Sequence, residues 1–212
     1  MKCYGQMCGL ALALDVIGDR WALLVVRELL TGPKKFSEMQ VSLPGCSPNL
    51  LARRLTELSE SGLVIEAKSG SGPRSLYELT EDGKALREPI ECLVRWGGRF
   101  FKKRKGLNER RPHWLEVAAP ALLRPRWRGK SPLKIQIDVE EHLFSLEFEG
   151  GEIDVRPGRA SRPDFTLQVP YEQALGILSG YLPFDFLRRS DGLLPGRLNR
   201  ADSMRVLKES FS

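Results

Sequence analysis

The sequence predicts an α+β chain built from two unlike domains, and three observations carry that reading. From Cys8 to Phe101 the apolar residues recur mostly at helical spacing, interrupted once by LVIEAKSGSGPRSLYEL, residues 63 to 79, where two strand-like runs flank a Ser/Gly/Pro cluster and read as a β-hairpin. After residue 130 the period becomes two: Leu133, Ile135, Ile137 and Val139 alternate with Lys134, Gln136 and Asp138, as half-buried strands require. Between the two patterns, residues 102 to 132 hold four prolines and dense charge. The domains are accordingly expected at 1–112 and 131–212, joined by residues 113–130.

Composition narrows the function classes. With 212 residues, 42% of them hydrophobic, the chain can fill a core. No stretch reaches the ~18 to 20 unbroken apolar residues of a bilayer span, and the N-terminus lacks the succession of a signal peptide. A cytoplasmic location and no membrane partner are expected. Cysteines 3, 8, 46 and 92 form no CxxC pair, and His113 and His142 stand apart from them and from each other in sequence, so no metal site and no cofactor are expected. Neither a nucleotide-binding glycine loop nor a recognisable triad is present, so the chain does not read as an enzyme. The net charge is +6; residues 1–112 hold 19 Lys/Arg against 13 Asp/Glu, and residues 113–212 hold 14 against 14. That asymmetry suggests that the first half meets a polyanion.

In the first domain, WALLVVRELL, residues 21 to 30, has the apolar majority of a buried helix and is stopped by Thr31-Gly32-Pro33. KKFSEMQVSL, residues 34 to 43, reads as a second, short helix ended by Pro44-Gly45. Ser47 is then a good N-cap and Pro48 a good first helical residue, since the helix has no partner for the missing N–H. On the helix that follows, Leu51, Leu55 and Leu58 form a narrow inward stripe, while Asn49, Arg53 and Thr56 point the opposite way. A helix that enters a major groove needs amide and guanidinium groups on its outer face in the first two turns. Arg54 flanks the stripe, where it could brace the helix internally or touch phosphate. Two helices, a tight turn, this third helix and a hairpin with cations at its tip follow the order of a winged helix-turn-helix, whose wing carries charge to the phosphate backbone. Double-stranded DNA is the expected partner, through Lys34, Lys35, Ser47, Asn49, Arg53, Arg54, Thr56, Lys68 and Arg74. Near the end of the domain, Leu93, Trp96 and Phe100 fit an apolar seam for self-association as a homodimer; the alternative is that they only close the domain core.

The same residues resemble a known family, the HxlR-type transcriptional regulators, over residues 1 to about 101. The resemblance rests on Cys8 before a helix, GDRWALLVVRELLTGPKKFSEM, LPGCSPNLLARRLTELSESGLV, YELTEDGKAL and the closing LVRWGGRF. It implies a dimeric winged helix-turn-helix regulator with the helix from Ser47 as reader and residues 68 to 74 as wing. It also marks Cys8 as a candidate redox sensor, a role that needs an exposed thiolate of lowered pKa, with Arg20 or Lys2 as possible sources; the alternative is a buried structural thiol. Cys46 departs from the family pattern, which usually has an aliphatic residue there.

In the second domain four strands of a meander are expected, then a helix near Tyr171 to Leu178, the stretch SGYLPFDFLRRSDGLLPGRL, and a closing helix from about Asp202 to Phe211. This order resembles the sterol-carrier-protein-like fold, through its glycine-rich strand pair, FTLQV before a helix and the late Gly-Leu-Leu-x-Gly turn. The resemblance implies an apolar tunnel lined by Phe144, Leu146, Phe148, Phe165, Leu167, Leu175, Leu178, Leu182 and Phe186, able to take a small apolar ligand. The plainer reading is that these side chains are the whole core of a small domain. Two functions therefore stand side by side: a sequence-specific regulator on a partly palindromic operator, modulated by an apolar ligand or thiol oxidation, and a lipid or acyl carrier with a helical interaction domain.

Overall fold

The computed structural model of the chain describes residues 3–68, 75–101, 106, 109–188 and 191–211, with Lys68, Ser75 and Arg188 described by their backbone alone. It divides into two units, Met1–Ile90 and Glu91–Ser212.

The first unit runs α1 (Gly9–Ile17), α2 (Ala22–Leu29), β1 (Lys34–Lys35), α3 (Phe36–Ser42), α4 (Pro48–Glu60), β2 (Val64–Lys68), β3 (Ser75–Leu79), α5 (Glu81–Ala85) and the first residues of α6 (Arg87–Gly98). Its sheet has the order β1-β3-β2, all antiparallel, with Val64 opposite Leu79 and Lys68 opposite Ser75. Lys34 and Lys35 do not open a helix, as the sequence suggested. After the left-handed Gly32 and Pro33 they stay extended, pair with Tyr77 and Leu76, and α3 starts only at Phe36. The Glu38 carboxylate, accepting from the Lys35 N–H at 2.6 Å, caps that start. Val25 and Val26 of α2, Met39 of α3 and Leu51, Leu55 and Leu58 of α4 are buried together with Val64. Thr80 caps α5 by accepting from the Gly83 N–H, and Gly83 lets α5 sit against the chain before β2, because a Cβ there would lie 2.1 Å from the Leu63 carbonyl oxygen.

The second unit contains most of α6, then α7 (Leu115–Leu123), β4 (Leu133–Val139), β5 (His142–Glu149), β6 (Glu152–Pro157), β7 (Phe165–Gln168), α8 (Tyr171–Leu178), β8 (Leu193–Pro195) and α9 (Arg200–Ser210). Residues 113–130, expected as a connection, instead hold α7, whose Leu115, Ala119 and Leu123 belong to the core of this unit. The prolines misled because Pro112 stands at the start of a 3-10 turn, where no N–H is needed, while Pro120 sits inside α7 and Pro125 in the 3-10 turn that directly continues it. The sheet order is β6-β5-β4-β7-β8. Only β4, β5 and β6 form a meander; β7 crosses to the far side of β4 and runs parallel to it, and β8 from the Gly-Leu-Leu-x-Gly stretch closes that edge.

Polar chemistry fixes this crossover. Gln136, on the polar face of β4 and buried, donates to the Phe144 and Gly158 carbonyls and accepts from the Ala160 N–H at 2.6 Å, which ties the β6–β7 connection over the sheet. Asp164, also buried, accepts from the Lys134 N–H and from Arg197 ahead of α9. The other face carries Ile135, Ile137, Phe144, Leu146, Phe148 and Leu167 into one core with α7, α8 and α9. Trp127 stacks against Phe148 at 4.4 Å between ring centres and against Phe211 at 5.1 Å. Among the described residues no helix is long and apolar enough to cross a membrane.

Candidate nucleic-acid interface

α4 begins where the sequence placed it. Ser47 is the N-cap, its hydroxyl accepting from the Leu50 N–H at 3.4 Å, and Pro48 opens the first turn. The turn before it is set by Gly45, in the left-handed region at φ +87, against which the Trp21 indole packs. Trp21 itself holds φ 82 as the N-cap of α2, a conformation an aromatic residue adopts only when its surroundings impose it. Arg20 lies over its ring at 5.5 Å. The Gly18-Asp19-Arg20-Trp21 corner therefore touches the chain on both sides of Cys46: Trp21 meets Gly45, and Asp19 meets Arg54.

The arginine pair separates. Arg54 is buried, and its Nη1 donates to both Asp19 Oδ2 and Glu57 Oε2. This corrects its inclusion among the DNA contacts: it lies beside Leu51 and Leu58 on the inner face and braces α4 to the α1–α2 corner. Arg53 keeps 69% of its side chain exposed and donates to Glu57 Oε1 at 2.9 Å, which raises its pKa. Asn49 and Thr56 are exposed on the same side, the Thr56 hydroxyl donating back to the Ala52 carbonyl. Lys34 is also turned away from an external role. Its ammonium donates to Thr31 Oγ1 at 2.8 Å and sits 3.5 Å from Glu28, a carboxylate with no exposed surface that also accepts from Arg27 Nη2 at 2.7 Å, so with Arg27 it counters a buried acid. Lys35 is half-buried. The side chain of Lys68 and the whole of Arg74, with the wing tip 69–74, lie outside the described residues.

The roles of Asp19, Glu28 and Glu57 escaped the sequence reading. The spacing of Arg53 and Arg54 to Glu57, four and three residues, was a readable signal for helical ion pairs; nothing in sequence pointed Asp19, 35 residues away, at Arg54.

Cys8 is exposed at the N-cap of α1. Its pKa is lowered by the N–H of Ala11 and then that of Leu10; Lys2, the other source expected from sequence, lies outside the described residues. Cys46 is buried, and burial raises its thiol pKa against the opposing pull of Arg54, so it packs as a small apolar side chain. α1 buries only Ala11 and exposes Leu10, Leu12, Leu14 and Val16. Leu93, Trp96 and Phe100 are 48%, 57% and 41% exposed, with Trp96 and Phe100 edge to face at 5.0 Å.

The surplus charge is more local than a division into halves suggested. Residues 1–90 hold 11 Lys/Arg and 11 Asp/Glu, whereas residues 91–112 hold 8 and 2. α4 and the β2–β3 hairpin are thus not set in a generally cationic unit; the excess follows them.

In the second unit the candidate ligand-lining residues are packed. Phe144, Leu146, Phe148, Phe165, Leu167 and Leu178 are buried, and Leu175 and Leu182 are half-buried around them; Phe186, half-buried, lies outside this cluster, where Phe184 packs instead. Between sheet and helices remains an apolar cavity of about 10 Å3, lined by Leu123, Ile135, Leu146, Leu167, Ile177 and Phe211 among others. Its volume is at the threshold for one water molecule, and its walls offer that water no polar partner. The two histidines, distant in sequence, meet in space: His113 and His142 are 6.3 Å apart between ring centres, and His142 Nε2 lies 2.6 Å from Glu116 Oε1. Among the described residues no group of three or more side chains is arranged to hold a metal ion.

A buried brace behind a helix with an outward amide–guanidinium–hydroxyl face, followed by a two-stranded wing, defines the first unit as a winged helix-turn-helix module. The family model described as HxlR-like helix-turn-helix matches residues 16–105. The HTH-type transcriptional regulator YkvN of Bacillus subtilis strain 168 is 35% identical over 97 residues, covering 45% of this chain and 82% of that protein. The HTH-type transcriptional regulator YodB of the same organism is 34% identical over 89 residues, 42% of this chain and 80% of YodB. The chain belongs to the HxlR-like helix-turn-helix family of transcriptional regulators. The solved reduced form of B. subtilis YodB, 31% identical, covers 47% of this chain and 100% of that chain with a TM-score of 0.41.

Proposed function

We propose that this regulator is a cytoplasmic homodimer that reads a partly palindromic operator through α4, with residues 1–112 as the DNA-binding domain and residues 131–212, together with α7, as a sterol-carrier-like regulatory domain. The observation that carries the reading is the division of labour on α4: Arg54 is spent on the brace, which leaves Asn49, Arg53 and Thr56 as the outward polar set. Ser47, Lys35, Lys68 and Arg74 supply phosphate contacts. Two-fold symmetric proteins read symmetric half-sites, and the exposed leucines of α1 with Leu93, Trp96 and Phe100 offer the apolar surface for pairing. A gel shift on DNA upstream of the protein's own gene, repeated at rising salt, tests the reading. Arg53→Ala is expected to lose site preference while keeping weak, salt-sensitive binding; unchanged site preference would remove Arg53 from base reading.

Cys8 is the proposed thiol switch, because it is exposed and its thiolate is favoured by the first N–H groups of α1. An equal response of wild type and Cys8→Ser to mild oxidant in the same assay would exclude it. The packed core of the second unit supports a domain stabilised by its own side chains more than a carrier holding lipid. An apolar effector would have to open that core, so thermal stabilisation across a fatty-acid and acyl-thioester panel decides whether one binds.

A further inference from the structure

α6 has two chemically different sides. Leu93 and Trp96, with Phe100 just past its end, form the exposed apolar side. Glu91 and Arg95, one turn apart, lie on the opposite side, and both meet the last turn of α7. Proline creates the first meeting point. Pro125 has no N–H, so the Ala121 carbonyl four residues before it lacks its helical donor. Arg95 Nη1 donates to that carbonyl at 3.3 Å. The second point is electrostatic: Arg124 Nε lies 3.7 Å from Glu91 Oε2, a carboxylate only 5% exposed, and Arg124 also pairs with Glu152 on β6. Between these two points in sequence stands Leu123, which lines the small apolar cavity of the unit.

We propose that this two-point grip is where the second unit sets the position of the proposed dimer helix. Arg95 and Arg124 are positioning residues, and a change in packing around Leu123 is delivered through them to Leu93 and Trp96, and so to the spacing of two reader helices. The grip rests on the dimer reading above for its consequence, but not for its existence. α7 supplies one side of it, and α7 lies beyond residue 105, where the family match ends; the device is thus a feature of the added domain.

The test uses the full chain as wild type, Glu91→Gln, Arg124→Gln, the double variant and Arg124→Lys. Two quantities are measured on each: the dimer dissociation constant by sedimentation over a dilution series, and amide hydrogen exchange along α6. Each glutamine variant is expected to weaken the dimer about tenfold and to speed exchange in α6, and the double variant is expected to be no worse than either single, as residues sharing one interaction behave. Arg124→Lys, which keeps the charge, is expected to retain most of both properties, and it serves if a glutamine variant does not fold. Singles that match wild type in both measurements, or effects that add, would overturn the proposal. If wild type is itself monomeric, the dimer reading falls and the role of the grip in dimer geometry falls with it; exchange along α6 then separates that failure from absence of the grip.

Discussion

Replacing Arg54 with Met should unfold the reader before it alters what is read. The Arg54 side chain is 9% exposed and serves two carboxylates, Asp19 and Glu57, which are 62% and 29% exposed. Breaking a buried ion pair by removing one partner costs about 3–5 kcal/mol when the survivor stays dry. Here both survivors reach water, so screening reduces the cost to roughly 2 kcal/mol. For a unit of this size each kcal/mol moves the melting midpoint by about 4–8 °C, so the DNA-binding unit should melt on the order of 10 °C earlier. Differential scanning calorimetry with gel shifts at a temperature where both proteins are folded separates stability from recognition. Arg54→Met should show the lower transition with its sequence preference intact, and Arg53→Ala the reverse pattern. An unchanged melting temperature for Arg54→Met, combined with a loss of affinity as large as that of Arg53→Ala, would refute the brace and return Arg54 to the DNA surface.

Three further outcomes follow from the geometry. Iodoacetamide should modify Cys8 well before Cys46, by peptide mass mapping, because the α1 amides lower the first thiol and burial raises the second; Cys8 labelling should slow as pH falls through its lowered pKa, and equal rates would contradict both assignments. Gly83→Ala should cost about 1–3 kcal/mol in urea unfolding despite alanine's better helix propensity, since its Cβ meets the Leu63 carbonyl; a neutral effect would mean that this approach is looser than 2.1 Å implies. Gln136→Leu should destabilise the second unit by about 2–3 kcal/mol, leaving the Ala160 N–H and the Gly158 carbonyl without their partner, and a leucine variant as stable as wild type would show that water or a shifted loop replaces it.

Local rules made α4 legible. Ser47-Pro48 fixed the start of α4, and the spacing of Leu51, Leu55 and Leu58 fixed its inner face, because both depend only on neighbours along one helix. Arg54 could be placed beside that stripe but not assigned a partner, since Asp19 is brought to it by the α1–α2 corner, a tertiary event. Lys34 shows the same limit: Glu28 is visible in the sequence, but that it is buried and paired with both Arg27 and Lys34 is a tertiary fact. In the second unit, alternation revealed β4 and β5, while the parallel placement of β7 depended on Gln136 and Asp164 holding the crossover, contacts across 24 and 30 residues. Proline counts as a breaker in sequence, but in residues 113–130 Pro120 is accommodated inside α7 and the carbonyl that Pro125 leaves without a helical donor accepts from Arg95.

Pro125 carries a consequence for how such chains diverge. A substitution there would return an N–H to the Ala121 carbonyl and leave Arg95 only its contact with Cys92 Sγ, with little local damage to the turn. The two positions, 30 residues apart and on different helices, are then under joint selection: where one drifts, the other is released. In relatives that share both domains, Arg at the first position and Pro at the second should be retained or lost together.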